Sequence, residues 1–406
     1  MKTFRPFGLH GTVVVLASTH FLVDGYGNIL TPLLPLLITN LHLSLAGAGT
    51  LQMCFQLANS VAQLGFGHIA DRSNPRLLLL GGPILCVVTL PLIGLAPTAW
   101  LLATVLIVGG LGGAAFHPPA AALVHKYAGR HRGFAMSFHI TSGTLGQAMA
   151  PLLFAPFVQR FGLRGMPWLV IPGVALLAGV LLRRIPPVER HESGTGGGIQ
   201  ALRPYAKPLA LLYAIVVLRT LTAVSFGTFV PIMLTRRGMS LAEAGTAASI
   251  YLCAVGAGGF IGGPIADRYG PRRVIMLSLI GAVPFLASAP LFDGWGLVAM
   301  IAVGGFLLQS TLPVNVTFAQ LIAPISAATV SSLMMGFAWG VGGLAVPLVG
   351  MTADHIGIER TLMIMSFTPL VAAALALPLP ASRTAHVTAR ASDVATIEST
   401  GTDVAE

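Results

Sequence analysis

A series of long apolar runs, recurring along the whole chain, limits the possible folds more than any other feature. A helix needs about 20 apolar residues to cross a bilayer, and the 406-residue chain holds enough such runs for about twelve crossings with short loops. Charged residues make up only 9% of the chain, whereas a soluble domain carries about 25%. The runs therefore predict an all-α polytopic membrane protein.

The apolar runs fall into two groups of six, separated by a polar stretch. Residues 1–184 predict one six-helix bundle and residues 207–380 a second. Residues 185–206 contain Pro and a Gly-rich run, which predicts a flexible cytoplasmic linker. Residues 381–406 have no apolar stripe and predict a disordered cytoplasmic tail. The predicted helices are 11–38, 45–69, 76–95, 99–124, 133–159, 166–184, 207–235, 241–266, 273–292, 295–322, 326–352 and 360–379.

The two groups of helices repeat each other in sequence. SLAGAGT at 44–50 returns as SLAEAGT at 240–246, an offset of 196 residues, and IADRSNPR at 69–76 returns as IADRYGPR at 265–272. Such a repeat predicts two pseudo-symmetric bundles related by an axis along the membrane normal, which is a transporter architecture. We expect the bundles to enclose a central cavity.

Basic residues are distributed unevenly between the two sides of the predicted membrane. Of the 23 Lys and Arg residues, seventeen fall on the side of the chain termini, five on the other side, and Arg219 within a span. By the positive-inside rule, this bias places both termini in the cytoplasm. The net charge of +10 is thus explained by topology and is no sign of a nucleic-acid partner.

Three ionisable residues lie near the middle of predicted spans. His20 and Asp24 are one helical turn apart on one face of the first helix, and Arg219 lies in the seventh helix. A charge at the bilayer centre costs about 2.5–3.5 kcal/mol on insertion scales, so it persists mainly where it faces water, a partner or a substrate. We expect all three side chains in the cavity wall.

Further polar side chains lie in the spans that would line the cavity. They are candidates for contacts with a substrate, and the alternative is that they form hydrogen bonds between helices or pack at a helix kink. These candidates are Gln56, Asn59, His117, His139, Gln309 and Asn315.

The repeated loops identify a family. Gly67-x3-Asp71-Arg72 and Gly263-x3-Asp267-Arg268 resemble the loop signature of the major facilitator superfamily. This resemblance implies a twelve-helix transporter, usually monomeric, in which the Asp-Arg pairs act as conformational latches on the cytoplasmic face; the alternative is that these charges only set the topology.

The N-terminal half is similar to the fosmidomycin-resistance group of exporters. The matching residues are Ser18-Thr19-His20 with Asp24, Pro35-Leu36-Leu37, FQLANS at 55–60 and Phe116-His117-Pro118. This resemblance implies a proton-driven exporter of small toxic compounds, phosphonate antibiotics among them, in a bacterial inner membrane.

The ionisable residues each have two interpretations at this stage. Asp24 can carry the coupling proton, with His20 sharing it, or the two can form a structural pair. Arg219 can bind an anionic substrate through its two-pronged hydrogen bonds or serve as the counter-ion of Asp24. His117 can contact the substrate or relay a proton.

Several classes of function compete at the level of sequence. Besides the exporter, an importer or uniporter of a small organic anion would use Arg219 as its main binding residue. A non-transporting membrane sensor would show no flux. No nucleophile–base arrangement, Cys/His metal cluster or cofactor motif is present in the sequence, so we expect neither an enzyme nor a bound metal or cofactor.

Overall fold

The computed structural model describes residues 9–72, 75–128, 132–181, 199–323, 330 and 333–380. Within these residues the chain forms twelve helical segments of membrane-spanning length, and nine of them are apolar enough to qualify as spans on composition alone. The other three are α2, α5 and α11. The all-α fold predicted from the apolar runs is confirmed.

The N-terminal half contains six of these segments. Their bounds are α1, Gly11–Gly27 with Leu30–Leu41; α2, Leu45–Ser60 with Ala62–Arg72; α3, Pro75–Thr89 with the 3-10 turn Leu90–Leu95; α4, Ala99–Tyr127; α5, Arg132–Phe161; and α6, the 3-10 turn Leu163–Leu169 with Val170–Leu181.

The C-terminal half contains the other six, preceded by the 3-10 turn Ile199–Tyr205. Their bounds are α7, Ala206–Arg236; α8, Leu241–Tyr269; α9, Pro271–Ser288 with the 3-10 turn Ala289–Leu291; α10, Gly294–Gln309 with Thr311–Ile322; α11, the π-turn Leu333–Phe337 with Ala338–Leu344 and Val346–Ile356; and α12, Ile358–Met365 with Thr368–Leu375.

The ends of the bundle need names. Helices α2, α4, α8 and α10 end toward the loops in which the basic residues concentrate, and we call this the basic end; they begin at the opposite end. Residues 185–198 of the predicted linker and the predicted tail, residues 381–406, lie outside the described residues, so the domain boundaries drawn there stay predictions.

The helices divide into an inner and an outer set. Contacts between the halves are made by α1, α2 and α5 with α7, α8 and α11. By contrast, α3, α6, α9 and α12 expose large apolar side chains such as Leu77, Ile171, Leu277 and Ile364. Apolar side chains suit the lipid-facing surface, so the polar side chains are left to the inner helices and to α4 and α10, which pack within their own halves.

The halves touch closely at the opposite end, through residues of the repeated SLAxAGT motif. A Cβ atom at Gly49 of α2 would lie 2.7 Å from the carbonyl oxygen of Val346, and one at Gly245 of α8 would lie 2.8 Å from that of Pro151. Small residues allow such close approach of membrane helices. The repeat therefore explains why α2 packs on α11 in the same way as α8 packs on α5.

Candidate functional site

Asp24 lies at the centre of a polar cluster between α1, α4 and α5. Its Oδ2 atom is 3.4 Å from Nε2 of His20, and its Oδ1 atom is 3.5 Å from Nε2 of His117. The side-chain amide of Gln147 in α5 donates a hydrogen bond of 2.9 Å to Oδ2. The structure therefore surrounds one intramembrane carboxylate with two imidazoles and an amide.

A backbone carbonyl fixes the tautomer of His20. Its Nδ1 atom is 2.9 Å from the carbonyl oxygen of His139, and because a carbonyl oxygen only accepts, Nδ1 carries the proton. The other ring nitrogen, Nε2, then faces a carboxylate oxygen of Asp24. Without a proton between them, the lone pair of Nε2 would face the negative charge of the carboxylate, which is unfavourable. The geometry therefore favours one proton held between His20 and Asp24.

His139, predicted near the basic end of α5, belongs to the same cluster. Its ring centroid lies 4.3 Å from that of His20, and the rings of His20 and His117 are 5.0 Å apart. His139 is buried, whereas the side chains of His20, Asp24 and His117 keep exposed fractions of 11%, 12% and 17%. The cluster thus keeps limited access to solvent through His20, Asp24 and His117.

The same cluster contains the donor set of a possible metal site. Among the described residues, ligand atoms of His20, Asp24 and His117 lie within 4.8 Å of one another, so a divalent cation would find three donors there. No ion is needed to account for the geometry, because contacts among the side chains and with Gln147 already hold the carboxylate. Sequence spacing does not indicate this grouping, since His117 is remote from α1 in the chain.

Arg219 forms a second polar site, in the C-terminal half. Its side chain is fully buried; the guanidinium donates to Oε1 of Gln309 in α10 and, over 3.2 Å, to the hydroxyl of Thr220. The ring of Trp339 in α11 lies 5.8 Å from its Cζ atom, within the range of a cation–π contact. Within the part of the chain that the structure describes, its Nε atom has no hydrogen-bond partner.

The pairing of Arg219 with Asp24, one of the two alternatives drawn from the sequence, is not formed in this structure. Among the described residues, no carboxylate lies within 4.0 Å of the guanidinium. A buried cation without a counter-ion is costly. Of the two interpretations drawn from the sequence, binding of an anionic substrate by Arg219 therefore stays a prediction.

The four neutral polar candidates have different surroundings. Gln309 is bonded to Arg219, and Asn315 is buried in α10, where its two amide atoms find no hydrogen-bond partner among the described residues. Gln56 packs against Gly343 of α11, between the halves, whereas Asn59 faces α4. Only Gln309 thus contacts an ionisable candidate directly.

The predicted latches at the basic end are only partly visible. The side chains of Asp71 and Arg72 lie outside the described part of the chain. Asp267 and Arg268 are exposed, and the guanidinium of Arg268 stacks on Tyr269 at 5.4 Å. Neither forms an ion pair with another described residue, so the latch stays a prediction.

Comparison with known proteins identifies the family. The model of the Major Facilitator Superfamily matches residues 16–223 and again residues 212–401. The chain belongs to this superfamily. It is a membrane transporter and not an enzyme, and the double match confirms the two-bundle architecture predicted from the repeat.

Two relatives locate the chain within the superfamily. It is 29% identical to the fosmidomycin resistance protein of Escherichia coli (strain K12), covering 91% of this chain and 92% of that protein. It is 26% identical to a probable nitrate/nitrite transporter of Mycobacterium tuberculosis (strain ATCC 25618 / H37Rv), covering 88% and 94%. The predicted closeness to the fosmidomycin-resistance group is confirmed.

Solved structures show the same fold at lower identity. A bacterial homolog of the human lysosomal transporter Spinster superposes with a TM-score of 0.75 at 18% identity, covering 90% of this chain and 95% of that one. The nucleoside transporter NupG superposes with a TM-score of 0.74 at 16% identity, covering 91% and 98%. These likenesses concern the fold.

Sequence reasoning missed three residues of the sites. Gln147 binds Asp24, and Thr220 and Trp339 contact Arg219. All three side chains are neutral, so no insertion cost marks them as unusual in a span. The one available signal is the position of Trp339 inside α11, because the other three tryptophans are strongly exposed, as is common for Trp at membrane interfaces.

Proposed function

We propose that this transporter is a proton-coupled exporter of small toxic or drug-like molecules, anionic phosphonates among them, which works by alternating access. In this scheme Asp24 with His20 holds the coupling proton, and Arg219 and His117 help to bind the substrate. Protons enter the cell as the substrate leaves. The chain acts as a monomer in a bacterial inner membrane with both termini in the cytoplasm.

The contact between His20 and Asp24 carries the proposal. Nδ1 of His20 is committed to the carbonyl of His139, so Nε2 and the carboxylate share the proton that the pair needs. A group that gains and loses one proton, and keeps limited solvent access within the membrane, has the properties of a proton carrier. Nε2 of His117, beside the other carboxylate oxygen of Asp24, provides a second position for the proton.

The contacts between the halves support alternating access. Toward the opposite end, α5 and α8 approach so closely that a Cβ atom at Gly245 would lie 2.8 Å from the carbonyl oxygen of Pro151. Toward the basic end, Phe260, Ile265 and Arg268 on α8 are exposed. Backbone contact between the halves at the opposite end, with α8 exposed toward the basic end, is what we expect when the halves rock about a central site.

Arg219 supports the choice of an anionic substrate. A guanidinium binds carboxylate and phosphonate groups through paired hydrogen bonds, and this one has an unpaired Nε–H and no counter-ion among the described residues. The relatives named for fosmidomycin resistance and for nitrate/nitrite transport are consistent with this substrate class.

Everted membrane vesicles test the exporter. With an acidic lumen generated by respiration, addition of fosmidomycin should raise the luminal pH in vesicles that contain the transporter and leave empty vesicles unchanged. A pH-sensitive dye in the lumen reports the change. Absence of any pH response, together with absence of fosmidomycin uptake, would contradict the proposal.

An importer of a small anion is the second candidate, favoured by the uncompensated charge of Arg219. It predicts the opposite sign of coupling: in right-side-out vesicles, nitrate or an organic anion should enter together with protons and make the external medium more alkaline. A uniporter would move the anion with no change in pH. The sign of the pH response therefore separates all three modes.

A further inference from the structure

The beginning of α2 is capped by a residue from the other half of the molecule. Asp354, near the end of α11, accepts hydrogen bonds of 2.9 Å from the backbone N–H of Leu45 and 3.0 Å from that of Ala46. Ser44 accepts a third, of 3.0 Å, from Gly47. Three of the four N–H groups that a helix leaves unpaired at its start are thereby satisfied.

The internal repeat produces a matching contact with different chemistry. At the beginning of α8, the backbone N–H of Ala242 donates a hydrogen bond of 3.0 Å to the side-chain oxygen of Gln159, near the end of α5. Ala46 and Ala242 are separated by the repeat offset of 196 residues, and Gln159 and Asp354 by 195. The two contacts join the halves at equivalent places, one through a carboxylate and one through a neutral amide.

The two contacts differ because each helix start obtains its carboxylate from a different part of the molecule. In α8 it comes from the helix itself, because Glu243 accepts a hydrogen bond of 2.8 Å from the backbone of Ser240 and completes a capping box. The equivalent residue of α2 is Gly47. The start of α2 carries the positive end of the helix dipole, and its carboxylate comes from the other half.

We propose that Asp354 is a latch that holds the two halves together at the opposite end, and that this end opens only when Asp354 leaves the start of α2. The proposal rests on alternating access as the transport mechanism. A Cβ atom at Gly350 of α11 would lie 2.8 Å from Cα of Ala46. Asp354 can therefore reach both N–H groups only while α2 and α11 are in backbone contact, and rocking of the halves separates them.

A distance measurement between the halves tests the latch. Spin labels are attached to cysteines introduced as Asn40→Cys in the N-terminal half and Arg360→Cys in the C-terminal half, both exposed at the opposite end. The three native cysteines are replaced by serine. Pulsed EPR in lipid nanodiscs without substrate then reports the separation. Asp354→Ala should raise the ratio of long to short separations roughly fivefold, the effect expected for loss of a helix cap, and Asp354→Asn less.

A double variant distinguishes a latch from simple capping. Gly47→Glu gives α2 a carboxylate of its own, and there is room because a Cβ atom at Gly47 meets nothing closer than 3.5 Å. Gly47→Glu combined with Asp354→Ala should keep α2 capped and folded yet still show the long separation. Gln159→Ala, the neutral counterpart, should shift the ratio less than Asp354→Ala.

Two results would overturn the latch. One is an unchanged distance distribution in Asp354→Ala, or in Asp354→Asn if the alanine variant does not fold. The other is a return to the short separation in the double variant, which would reduce Asp354 to a local cap. Because the measurement needs neither substrate nor proton flux, a shifted distance in a protein that transports nothing would count against the proposed function alone.

Discussion

At the scale of single residues, the site consists of two charges that lipid would reject and the neutral groups that hold them. Asp24 is surrounded by partners within α1, α4 and α5, whereas Arg219 has only neutral partners. The two sites therefore differ in what they lack. Under the proposed function, the pair of Asp24 and His20 takes up a proton, and Arg219 takes up the anionic substrate.

Asp24→Asn should abolish proton-coupled transport. The amide is nearly isosteric and can still contact Gln147, but it does not gain or lose a proton. We expect proton-driven flux in vesicles to fall at least about 100-fold, within the 10²–10⁴-fold range that a positioned proton-transfer group contributes. The purified variant should still run as a folded protein in size-exclusion chromatography.

The matched control for this variant is Asp293→Asn, which changes a carboxylate that is 91% exposed at the opposite end. It should leave the coupling of proton and substrate flux intact. Full proton-driven transport by Asp24→Asn would remove the carboxylate from the mechanism.

Arg219→Lys should weaken binding of an anionic substrate while leaving proton binding in place. Lysine keeps the charge but loses the planar fork that pairs with carboxylate or phosphonate, and a hydrogen bond to a charged group is worth about 1.5–3 kcal/mol. We expect the KM for the substrate to rise about 10- to 100-fold. Arg236→Lys, at an exposed arginine, is the control, and an unchanged KM in Arg219→Lys would exclude direct contact.

The sequence predicts the charged members of the site well and the neutral ones poorly. Asp24, His20 and Arg219 are conspicuous because each carries an insertion cost that function must offset. Gln147 carries no such signal, and its contact with Asp24 depends on how α5 packs against α1, which hydropathy does not determine. For the same reason the sequence does not predict the contact between the carbonyl of His139 and the ring of His20.

At the scale of helices, the repeat places the two sites at equivalent points. Asp24 and Thr220 are related by the offset of 196 residues, so Arg219 lies one residue from the counterpart of Asp24. Glycines of the facing helices lie beside both: Gly146 of α5 packs on the backbone of Phe21, and Gly342 of α11 packs on Thr220. The same helix contact thus recurs beside Asp24 in one half and beside Arg219 in the other.

Gly146→Ala should destabilise the N-terminal half and disturb the site. Its added Cβ atom would collide with the carbonyl oxygen of Phe21, next to His20, so α1 and α5 must separate. Overpacking of this kind costs about 1–3 kcal/mol. We expect a lower thermal unfolding temperature in detergent and weaker proton coupling.

The control is Gly179→Ala in α6, where an added Cβ atom meets nothing within 4 Å. It should be neutral or slightly stabilising, because Ala favours the helix by about 1 kcal/mol over Gly. Equal unfolding temperatures for the two alanine variants would show that the approach of α5 to α1 is looser than described.

At the scale of the whole molecule, hydropathy and the repeat predict the architecture, and packing adds what they omit. About twelve spans follow from the apolar runs, and their division into two halves follows from the repeat. Which end of the bundle is closed does not follow, because it depends on backbone contacts such as those of Gly49 and Gly245. The sequence contains these glycines in its repeat but does not say in which state they meet.

A further whole-molecule difference concerns how each half is held rigid at the opposite end. Arg237, just after α7, donates hydrogen bonds of 2.8 Å to the carbonyl oxygens of Pro290 and Phe292, and contacts the carboxylates of Asp293 at 3.1 Å and Glu359 at 3.4 Å. One cation thereby ties together the ends of α7, α9, α10 and α12. The equivalent residue of the N-terminal half is Leu41, which has no such capacity.

Arg237→Ala should therefore loosen the C-terminal half without touching either site. Its carboxylate partners are largely solvated, which reduces their contribution, so most of the loss comes from the two charge-assisted bonds to carbonyls. We expect about 1–2 kcal/mol of destabilisation, seen as a lower unfolding temperature, with KM for the substrate unchanged. Arg236→Ala, its exposed neighbour, should have no effect. Equal unfolding temperatures for Arg237→Ala and Arg236→Ala would mean that apolar packing alone holds the four helix ends. The contacts of Arg237 would then contribute nothing to the rigidity of that half.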